Sequence, residues 1–268
     1  MRLRILVSAV FLLVIGCVVQ AQDGDLHGSV DLTYLSKYIW RGFDVYGDKS
    51  AVQPSIDLDL FGTGFGVNVT GHRANASGFE LSERWDYTLY YQNGLYQDEA
   101  YATMYRLGWV YFNYPDRSTE DADLQEIHTV LSWPKLCPAG VVPSYVLVKL
   151  WPSSSGSLVG SPNSNGTASG FAHIFMLDYA LTTAGLLPDT PEQILNLHSE
   201  VVFNDGVGPG GQNVDHDWSN AVFGISTNFD LAESVTLTPG VYHQITMDSS
   251  VNDDKDETWL GLSMTCKF

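Results

Sequence analysis

The stretch from Thr258 to Phe268 alternates strictly between two kinds of side chain. Because successive side chains of a β-strand point to opposite faces, this pattern predicts a strand with one apolar face and one small or polar face. Its length of about ten residues matches a tilted membrane-spanning strand, and a closing strand that ends in Phe is typical of outer-membrane β-barrels. The apolar positions are Leu260, Leu262, Met264, Cys266 and Phe268.

The same period of two recurs along the chain, with turn residues between the segments, whereas helical periodicity is nearly absent. About twelve segments result, an even number, as single-chain bacterial barrels have. The pattern predicts an all-β fold, a single closed antiparallel up-and-down transmembrane β-barrel of about 12 strands. The segments are 30–41, 52–60, 65–70, 84–92, 101–111, 126–133, 142–151, 171–181, 195–203, 220–229, 235–246 and 258–268; those at 142–151 and 171–181 are apolar on both faces.

Connection lengths support this topology independently. Long loops and short turns alternate in outer-membrane barrels, and a β-sandwich has no reason to keep such an alternation. The two connections at 93–100 and 182–193 are longer than ideal short turns. The expected long loops are Phe43–Ser50, Asn113–Asp123, Pro152–Gly170, Asn204–Asp217 and Met247–Glu257, and the expected short turns are Gly62–Gly64, Pro134–Gly140 and Asp230–Ser234.

Aromatic residues are frequent, with 7 Trp and 14 Tyr. Amphipathic rings are favoured at the boundary between membrane and water, so an aromatic girdle is expected on the lipid face. The alternative is that these rings form the core of a secreted, soluble β-sandwich that binds a ligand such as a glycan. The expected girdle residues are Tyr34, Tyr38, Trp40, Trp85, Tyr87, Trp109, Tyr111 and Trp133.

The first 21 residues have the parts of a secretory signal peptide. Arg2 and Arg4 precede a mostly apolar run, and Val19–Ala21 is an acceptable cleavage site. We therefore expect a signal peptide at 1–21 and one barrel domain at 22–268. A lipoprotein signal ending at Cys17 is the competing interpretation. No later segment has an apolar run long enough for a membrane helix.

The chain carries a formal net charge of −18. Nucleic-acid binding is therefore not expected, because phosphate contacts need a basic surface. Cys137 and Cys266 remain after signal removal. The predicted layout places them on opposite sides of the barrel, so we expect free thiols.

A resemblance to a known family rests on the beginning of the mature chain. The residues Leu35-Ser36-Lys37-Tyr38-Ile39-Trp40-Arg41-Gly42 are followed by Val52–Asp57, by Phe65–Val67 and by the acidic-aromatic strand Glu83–Tyr87. This arrangement resembles the TorF family of porins, whose members open with a strand ending in an aromatic-Arg-Gly turn and end in Phe. The resemblance implies an outer-membrane barrel assigned to porin-like transport. Cys266 departs from many barrel end signals, which carry an aromatic residue there.

Charged and polar residues alternate with the apolar ones and are expected to line the lumen, because charges cannot face lipid at low cost. They either line an open pore or form salt-bridged plugs in a narrow lumen. The expected set is Lys37, Arg41, Asp57, Asp59, Arg84, Asp86, Arg106, Glu126, His128, His198 and Glu200.

No pattern specifies catalysis or a bound metal. His198 and Glu200 share a face, but one imidazole and one carboxylate are too few for either role. Because Ser199 is adjacent to His198, it points to the opposite face, which counts against an outer-membrane phospholipase. We expect no enzyme activity and no cofactor. The acidic loop around Asp253 does not match a calcium loop and is interpreted as solvated.

The sequence thus predicts a protein of the bacterial outer membrane, a porin-like channel for small polar solutes or ions that favours cations. A closed outer-membrane barrel with a structural or lipase-type role is a further alternative. The expected partners are outer-membrane lipid, the transported solutes and the barrel-assembly machinery. That machinery would recognise a C-terminal assembly signal formed by Leu262, Met264 and Phe268.

Overall fold

A computed structural model describes residues 26–117, 122–153, 169–186, 190–207 and 213–268. Within these residues no helix is long and apolar enough to cross a membrane; short 3-10 turns occur at Glu80–Ser82 and Asn252–Asp254. The strands are β1 (Leu26–Leu35), β2 (Ile39–Trp40), β3 (Phe43–Asp44), β4 (Ala51–Leu60), β5 (Phe65–Ala74), β6 (Arg84–Leu95), β7 (Thr103–Asn113), β8 (Leu124–Ser132), β9 (Val141–Pro152), β10 (Gly170–Ala184), β11 (Glu192–Val207), β12 (Asn213–Thr227), β13 (Phe229–Ala232), β14 (Val235–Thr246) and β15 (Glu257–Lys267).

Twelve of these strands form one closed antiparallel barrel, which confirms the predicted fold class. Neighbours in sequence pair from β4 to β12, and β12 pairs with β14. The circle closes because β1 pairs with β15 as well as with β4. The short strand β13 forms a hairpin with the start of β14, and β2 pairs only with β3.

The side chains of the barrel strands separate into two faces, as the period of two predicts. On β6, Trp85, Tyr87 and Leu89 are exposed and point outward, whereas Arg84 and Tyr90, on the opposite face, are buried. A large exposed apolar face outside and buried polar side chains inside are the reverse of a soluble β-sandwich, whose sheets pack apolar faces together. The sandwich alternative is therefore wrong.

The strands β1, β5, β7, β9, β11 and β14 all end at one end of the barrel, which we name the loop end. Most of the expected long loop Pro152–Gly170 and part of Asn204–Asp217 lie outside the described residues. The connections of the opposite end, the turn end, are 61–64, 96–102, 133–140, 185–191 and 228–234. The connections expected to be too long at 93–100 and 182–193 each shorten to 7 residues, because β6, β10 and β11 extend beyond their predicted bounds.

Two expectations about individual residues are wrong. The first strand ends at Leu35 rather than continuing to Trp40, so Lys37, Tyr38, Trp40 and Arg41 belong to the following loop. Cys137 is a free thiol, as expected, and so does not pair with Cys266. Cys266 is disulfide-bonded, however, and the expectation of a free thiol fails for it.

Candidate functional site

Six of the eight residues expected in the aromatic girdle have the outward parity of the barrel strands, and two do not. Tyr34, Trp85, Tyr87 and Trp109 are between 40% and 43% exposed on the outer face. Tyr111 and Trp133 are half-buried at positions of the same parity. Tyr38 and Trp40 are the exceptions: Tyr38 is only 4% exposed, and the contacts described below place both rings inside the barrel. Their assignment to the lipid face is wrong.

The reason is a hairpin formed by β2 and β3, which we name the inner hairpin. Ile39 pairs with Asp44 and Trp40 with Phe43, which leaves Arg41 and Gly42 as a two-residue turn. Both turn residues have positive φ, 51° and 93°. Consecutive positive φ values are the geometry of a tight hairpin turn, and Gly at the second position adopts it without steric cost. The Arg-Gly pair therefore marks a hairpin tip rather than the end of a barrel strand.

The base of the inner hairpin is packed against β5 and the loop that follows it. The Tyr46 ring is fully buried, and its hydroxyl donates to the His72 carbonyl oxygen over 2.9 Å. The Tyr38 ring stacks on His72 with centroids 5.0 Å apart. Tyr38 and Tyr46 form an apolar cluster with Ala51 and Ala74. Burial raises the pKa of the Tyr46 hydroxyl above its ordinary value.

The tip of the inner hairpin contacts two separate parts of the wall, β8 and β14. The Arg41 guanidinium forms an ion pair with the Glu126 carboxylate on β8, and both side chains are largely buried. The Gln244 side-chain amide on β14 donates to the Gly42 carbonyl oxygen over 2.8 Å. Gly42 lies so close to Val251 and Asn220 that a Cβ there would come within 3 Å of each. The tip is thus held by one ion pair and one hydrogen bond.

The segment that leads into the hairpin is fixed to a third strand. The Lys37 ammonium lies 2.5 Å from the Asp48 carboxylate and 2.6 Å from that of Glu257, the first residue of β15. These hydrogen bonds raise the pKa of Lys37, and the bond to Lys37 lowers the pKa of Asp48. Desolvation raises the pKa of Asp44, which accepts backbone hydrogen bonds from Tyr46 and Asp48.

The two anchors stand on opposite walls. From β15, which carries Glu257, the order around the barrel runs through β1, β4, β5, β6 and β7 to β8, which carries Glu126. That is six steps on a circle of twelve strands, half the circumference. The inner hairpin therefore crosses the whole lumen near the loop end. Of the expected lumen-lining set, Lys37 and Arg41 belong to this crossing element, and the other nine belong to the barrel strands.

Arg84, the first residue of β6, contacts the inner hairpin through Tyr38 and Trp40. Its guanidinium donates to both carboxylate oxygens of Asp86, at 2.8 and 3.1 Å, and to the Tyr38 hydroxyl at 3.0 Å. The same guanidinium carbon lies 3.6 Å from the centroid of the Trp40 ring. His72 approaches the other side of Asp86, with Nε2 2.8 Å from Oδ2. A buried cation paired with a carboxylate and covered by an aromatic ring is a satisfied arrangement that rigidifies the wall.

A second polar group lies nearer the turn end. The Tyr90 hydroxyl donates to Asp57 over 2.7 Å, and the Arg106 guanidinium lies 3.5 Å from the centroid of the Tyr90 ring. Arg106 and Asp57 are 3.8 Å apart and about one third exposed, so this ion pair borders open space. Asp59 accepts a hydrogen bond from the backbone amide of Gly62 in the β4–β5 turn.

The remaining predicted residues form two small groups. His128 lies on β8, with Nδ1 3.2 Å from Glu126. On β11, His198 Nδ1 is 2.7 Å from Asp178, and Nε2 is 3.7 Å from Glu200. Ser199 faces outward and donates to the Leu177 carbonyl oxygen at 3.4 Å, so it forms no nucleophile–base pair with His198.

The three carboxylates of Asp44, Asp48 and Glu257 come close enough together to suggest a cation site. The Lys37 ammonium already contacts two of them at hydrogen-bond distance. The arrangement is therefore explained by an internal cation, and it needs no metal ion.

Sequence reasoning missed the apolar part of the lumen wall. Val148 on β9, Ala172 on β10 and Val202 on β11 form a buried cluster of inward-facing residues, with Val146 and Ile174 beside it. This explains why the segments 142–151 and 171–181 are apolar on both faces. A double apolar face in a barrel strand is the signal that could have indicated a covered section of the lumen.

The comparisons with known proteins agree with this architecture. No family model and no curated protein matches the sequence. Among solved structures, the chain is similar to the NanC porin, with 10% identity and a TM-score of 0.52, over 90% of this chain and 100% of the porin. It is also similar to the COG4313 outer membrane channel from Pseudomonas putida F1, with 11% identity, a TM-score of 0.51, and coverage of 92% and 97%.

At such low identity the likeness concerns the fold alone. The fold is that of the closed antiparallel barrels found in outer-membrane porins and channels. An apolar outer face with exposed aromatic residues and a charged interior crossed by a hairpin are the features that a functional proposal must explain.

Proposed function

We propose that this protein is a porin-like channel of the bacterial outer membrane that passes small polar solutes or ions. The observation that carries the proposal is the separation of faces. Exposed apolar residues such as Leu89 and Ile127 surround the barrel, while the Asp57–Arg106 pair borders open space inside it. A closed barrel with this distribution is stable in lipid and offers a polar route through it.

The lumen also carries an excess of negative charge, which supports a preference for cations. Its described bases are Lys37 and Arg41 of the hairpin, Arg84 and Arg106 of the wall, and Lys267 at the end of β15. The inward carboxylates outnumber them, and acidic rings favour cations in pores. They are Asp31, Asp57, Asp59, Asp86, Glu126, Asp178, Glu200 and Glu257.

Residence in the membrane and assembly complete the proposal. The aromatic girdle fits the lipid boundary, with the loop end toward the cell exterior. The alternating face of Leu262 and Met264, with Phe268 at its end, is the candidate signal for the assembly machinery. Membership of the TorF family is part of the proposal, and the Arg41–Gly42 turn supports it as the tip of the inner hairpin. The proposal assigns the barrel no catalytic role.

Fractionation tests the location. The mature protein is expected in outer membranes, and unboiled samples should migrate faster than boiled ones on SDS gels because a closed barrel resists detergent. A freely soluble protein after signal removal, without detergent, would contradict the proposal.

Planar-bilayer recording tests the transport. Refolded protein in a potassium chloride gradient should conduct. Its reversal potential should have the same sign as the equilibrium potential of potassium. Glu200→Gln and Asp57→Asn should each shift that potential toward zero, whereas Glu233→Gln, outside the barrel strands in the β13–β14 turn, should not. If wild type and every variant described below fold but none of them conducts, a closed structural barrel is the better explanation.

A further inference from the structure

The inner hairpin does more than narrow the lumen, because the side chains around its tip are sealed from solvent. Tyr46 at its base and Asn220, Gln244 and Val251 around its tip have no exposed surface. Trp40 packs edge-on against Phe112 on β7, with ring centroids 5.5 Å apart. The hairpin thus closes contacts to both halves of the wall at the loop end.

The two ends of the hairpin are held by different kinds of interaction. The base rests on aromatic and alanine side chains that exclude water. The two turn residues at the tip rest on the Arg41–Glu126 ion pair and the Gln244–Gly42 hydrogen bond, while Trp40 just before them packs on Phe112. Polar contacts can be exchanged for water at small net cost, whereas separating an apolar cluster exposes surface that water solvates poorly. The tip is therefore the end that can be released.

The tip contact is also imperfect. Among the described residues, neither the Asn220 side-chain nitrogen nor the Gln244 side-chain oxygen has a hydrogen-bond partner, although both are buried. An unsatisfied buried polar atom lowers the stability of the state that contains it. Withdrawal of Gly42 from its place beside Asn220 would let water reach both atoms, so this defect offsets part of the attraction that holds the tip down.

We propose that the inner hairpin is the gate of the channel. In the closed state Arg41 is latched to Glu126 and Gly42 to Gln244; in the open state the tip leaves both while Tyr38 and Tyr46 keep the base in place. This inference rests on the proposed channel function and adds what regulates it. The structure described above is the closed state.

The test is single-channel recording on the full mature protein, refolded and checked for its shifted unboiled migration. Wild type is expected to be closed for most of the time. Arg41→Met and Glu126→Gln should each raise the open fraction by roughly tenfold or more, because removing one partner of a buried ion pair is costly to the state that needs it. The double variant should resemble the single ones, because both remove the same latch.

Three further variants sharpen the result. Arg41→Glu with Glu126→Arg restores opposite charges and should return the open fraction toward wild type. Gln244→Met removes the second latch without altering charge and should also raise the open fraction, so the gate remains testable if an Arg41 variant does not fold. Arg73→Met breaks an exposed ion pair with Glu83 away from the hairpin and should leave gating unchanged.

The outcomes separate the gate from the channel. Equal open fractions and conductances in wild type, Arg41→Met, Glu126→Gln and Gln244→Met would overturn the gate while leaving the channel intact. Absence of current from every folded protein, including one in which Ile39–Asp44 is replaced by a short Gly-Ser link, would overturn the channel and the gate together.

Discussion

The ring of Tyr90 lies directly over Gly66 on the neighbouring strand. A Cβ at Gly66 would stand 2.1 Å from the ring, far closer than two non-bonded carbon atoms can approach. The position under the ring also lets the Tyr90 hydroxyl reach Asp57 and lets Arg106 stack above it. A missing side chain on β5 therefore fixes the orientation of a charged group on β4 and another on β7.

Gly66→Ala is accordingly expected to lower the free energy of unfolding by roughly 1–3 kcal/mol, since overpacking forces the ring out of its place. A urea titration measures the loss in unfolding free energy, with the folded fraction at each urea concentration read from the gel migration of the unboiled protein. Gly261→Ala is the matched control, because the nearest atom there is 3.2 Å away and the loss should be smaller. Equal losses at the two positions would show that the Tyr90 ring does not depend on Gly66.

Arg84→Met should be among the most destabilising single changes in the barrel. It leaves the carboxylate of Asp86 buried with only His72 beside it, and it removes the cation beneath Trp40. Breaking a buried ion pair by removing one partner costs about 3–5 kcal/mol. The same urea titration checks the prediction. Arg73→Met, which breaks the exposed ion pair of Arg73 and Glu83, is the control. If both variants unfold at the same urea concentration, Arg84 has no such structural role.

The Lys37 anchor should withstand a wide range of pH. The pKa of Asp48 is lowered from its ordinary value of 3.8. The stability that the Asp48 carboxylate adds to the fold is therefore complete above pH 3.8 and is lost only as the pH falls through the lowered pKa. The pKa of Lys37 is raised from its ordinary value of 10.5. The stability that the Lys37 ammonium adds is therefore complete below pH 10.5 and is lost as the pH rises through the raised pKa. Between these limits the anchor is expected not to change.

Amine acylation followed by mass spectrometry tests this directly. At pH 9 Lys37 should react much more slowly than the exposed Lys255, because only the unprotonated amine reacts. Asp48→Asn should increase the acylation rate of Lys37 and leave that of Lys255 unchanged. Equal rates for the two lysines in wild type would contradict the ion pairs of Lys37.

Phe268 is expected to matter for assembly. Its backbone amide donates to the Gly28 carbonyl oxygen, and the Gly28 amide donates to the Phe268 carbonyl oxygen, both at 3.0 Å. Deleting Phe268 removes both bonds and the aromatic end of the candidate assembly signal. The fraction of protein with shifted unboiled migration in outer membranes should fall severalfold, whereas Phe268→Tyr should retain it. Unimpaired assembly of the deletion would refute the role of this residue.

The periodic part of the fold could be predicted from sequence because each barrel strand obeys one local rule. The alternation of Trp85, Tyr87 and Leu89 with Arg84, Asp86 and Thr88 follows from the geometry of a single strand. The strand number and the closure follow from repetition of that rule. Little beyond the pattern itself was needed to expect a barrel.

The inner hairpin could not be predicted in the same way. Tyr38 and Trp40 continue the period of the first strand, so their sequence pattern is identical to that of a lipid-facing girdle. What turns them inward are contacts with distant residues: Arg84 for both rings, His72 for Tyr38 and Phe112 for Trp40. Local periodicity carries no information about such partners. The Arg41–Gly42 turn was the one local signal, and it was interpreted as a strand end.

The pairing of β1 with β15 has a consequence for the order of folding. At one end of this seam Phe268 and Gly28 exchange backbone hydrogen bonds, and at the other Lys37 joins Glu257 across 220 positions of sequence. The segment that enters the lumen directly follows one seam strand and is bound to the first residue of the other. We therefore expect closure of the cylinder and entry of the hairpin to be coupled during folding. A barrel that shut with the hairpin still outside would trap a misfolded species, which could reach the native state only by reopening its longest-range contact.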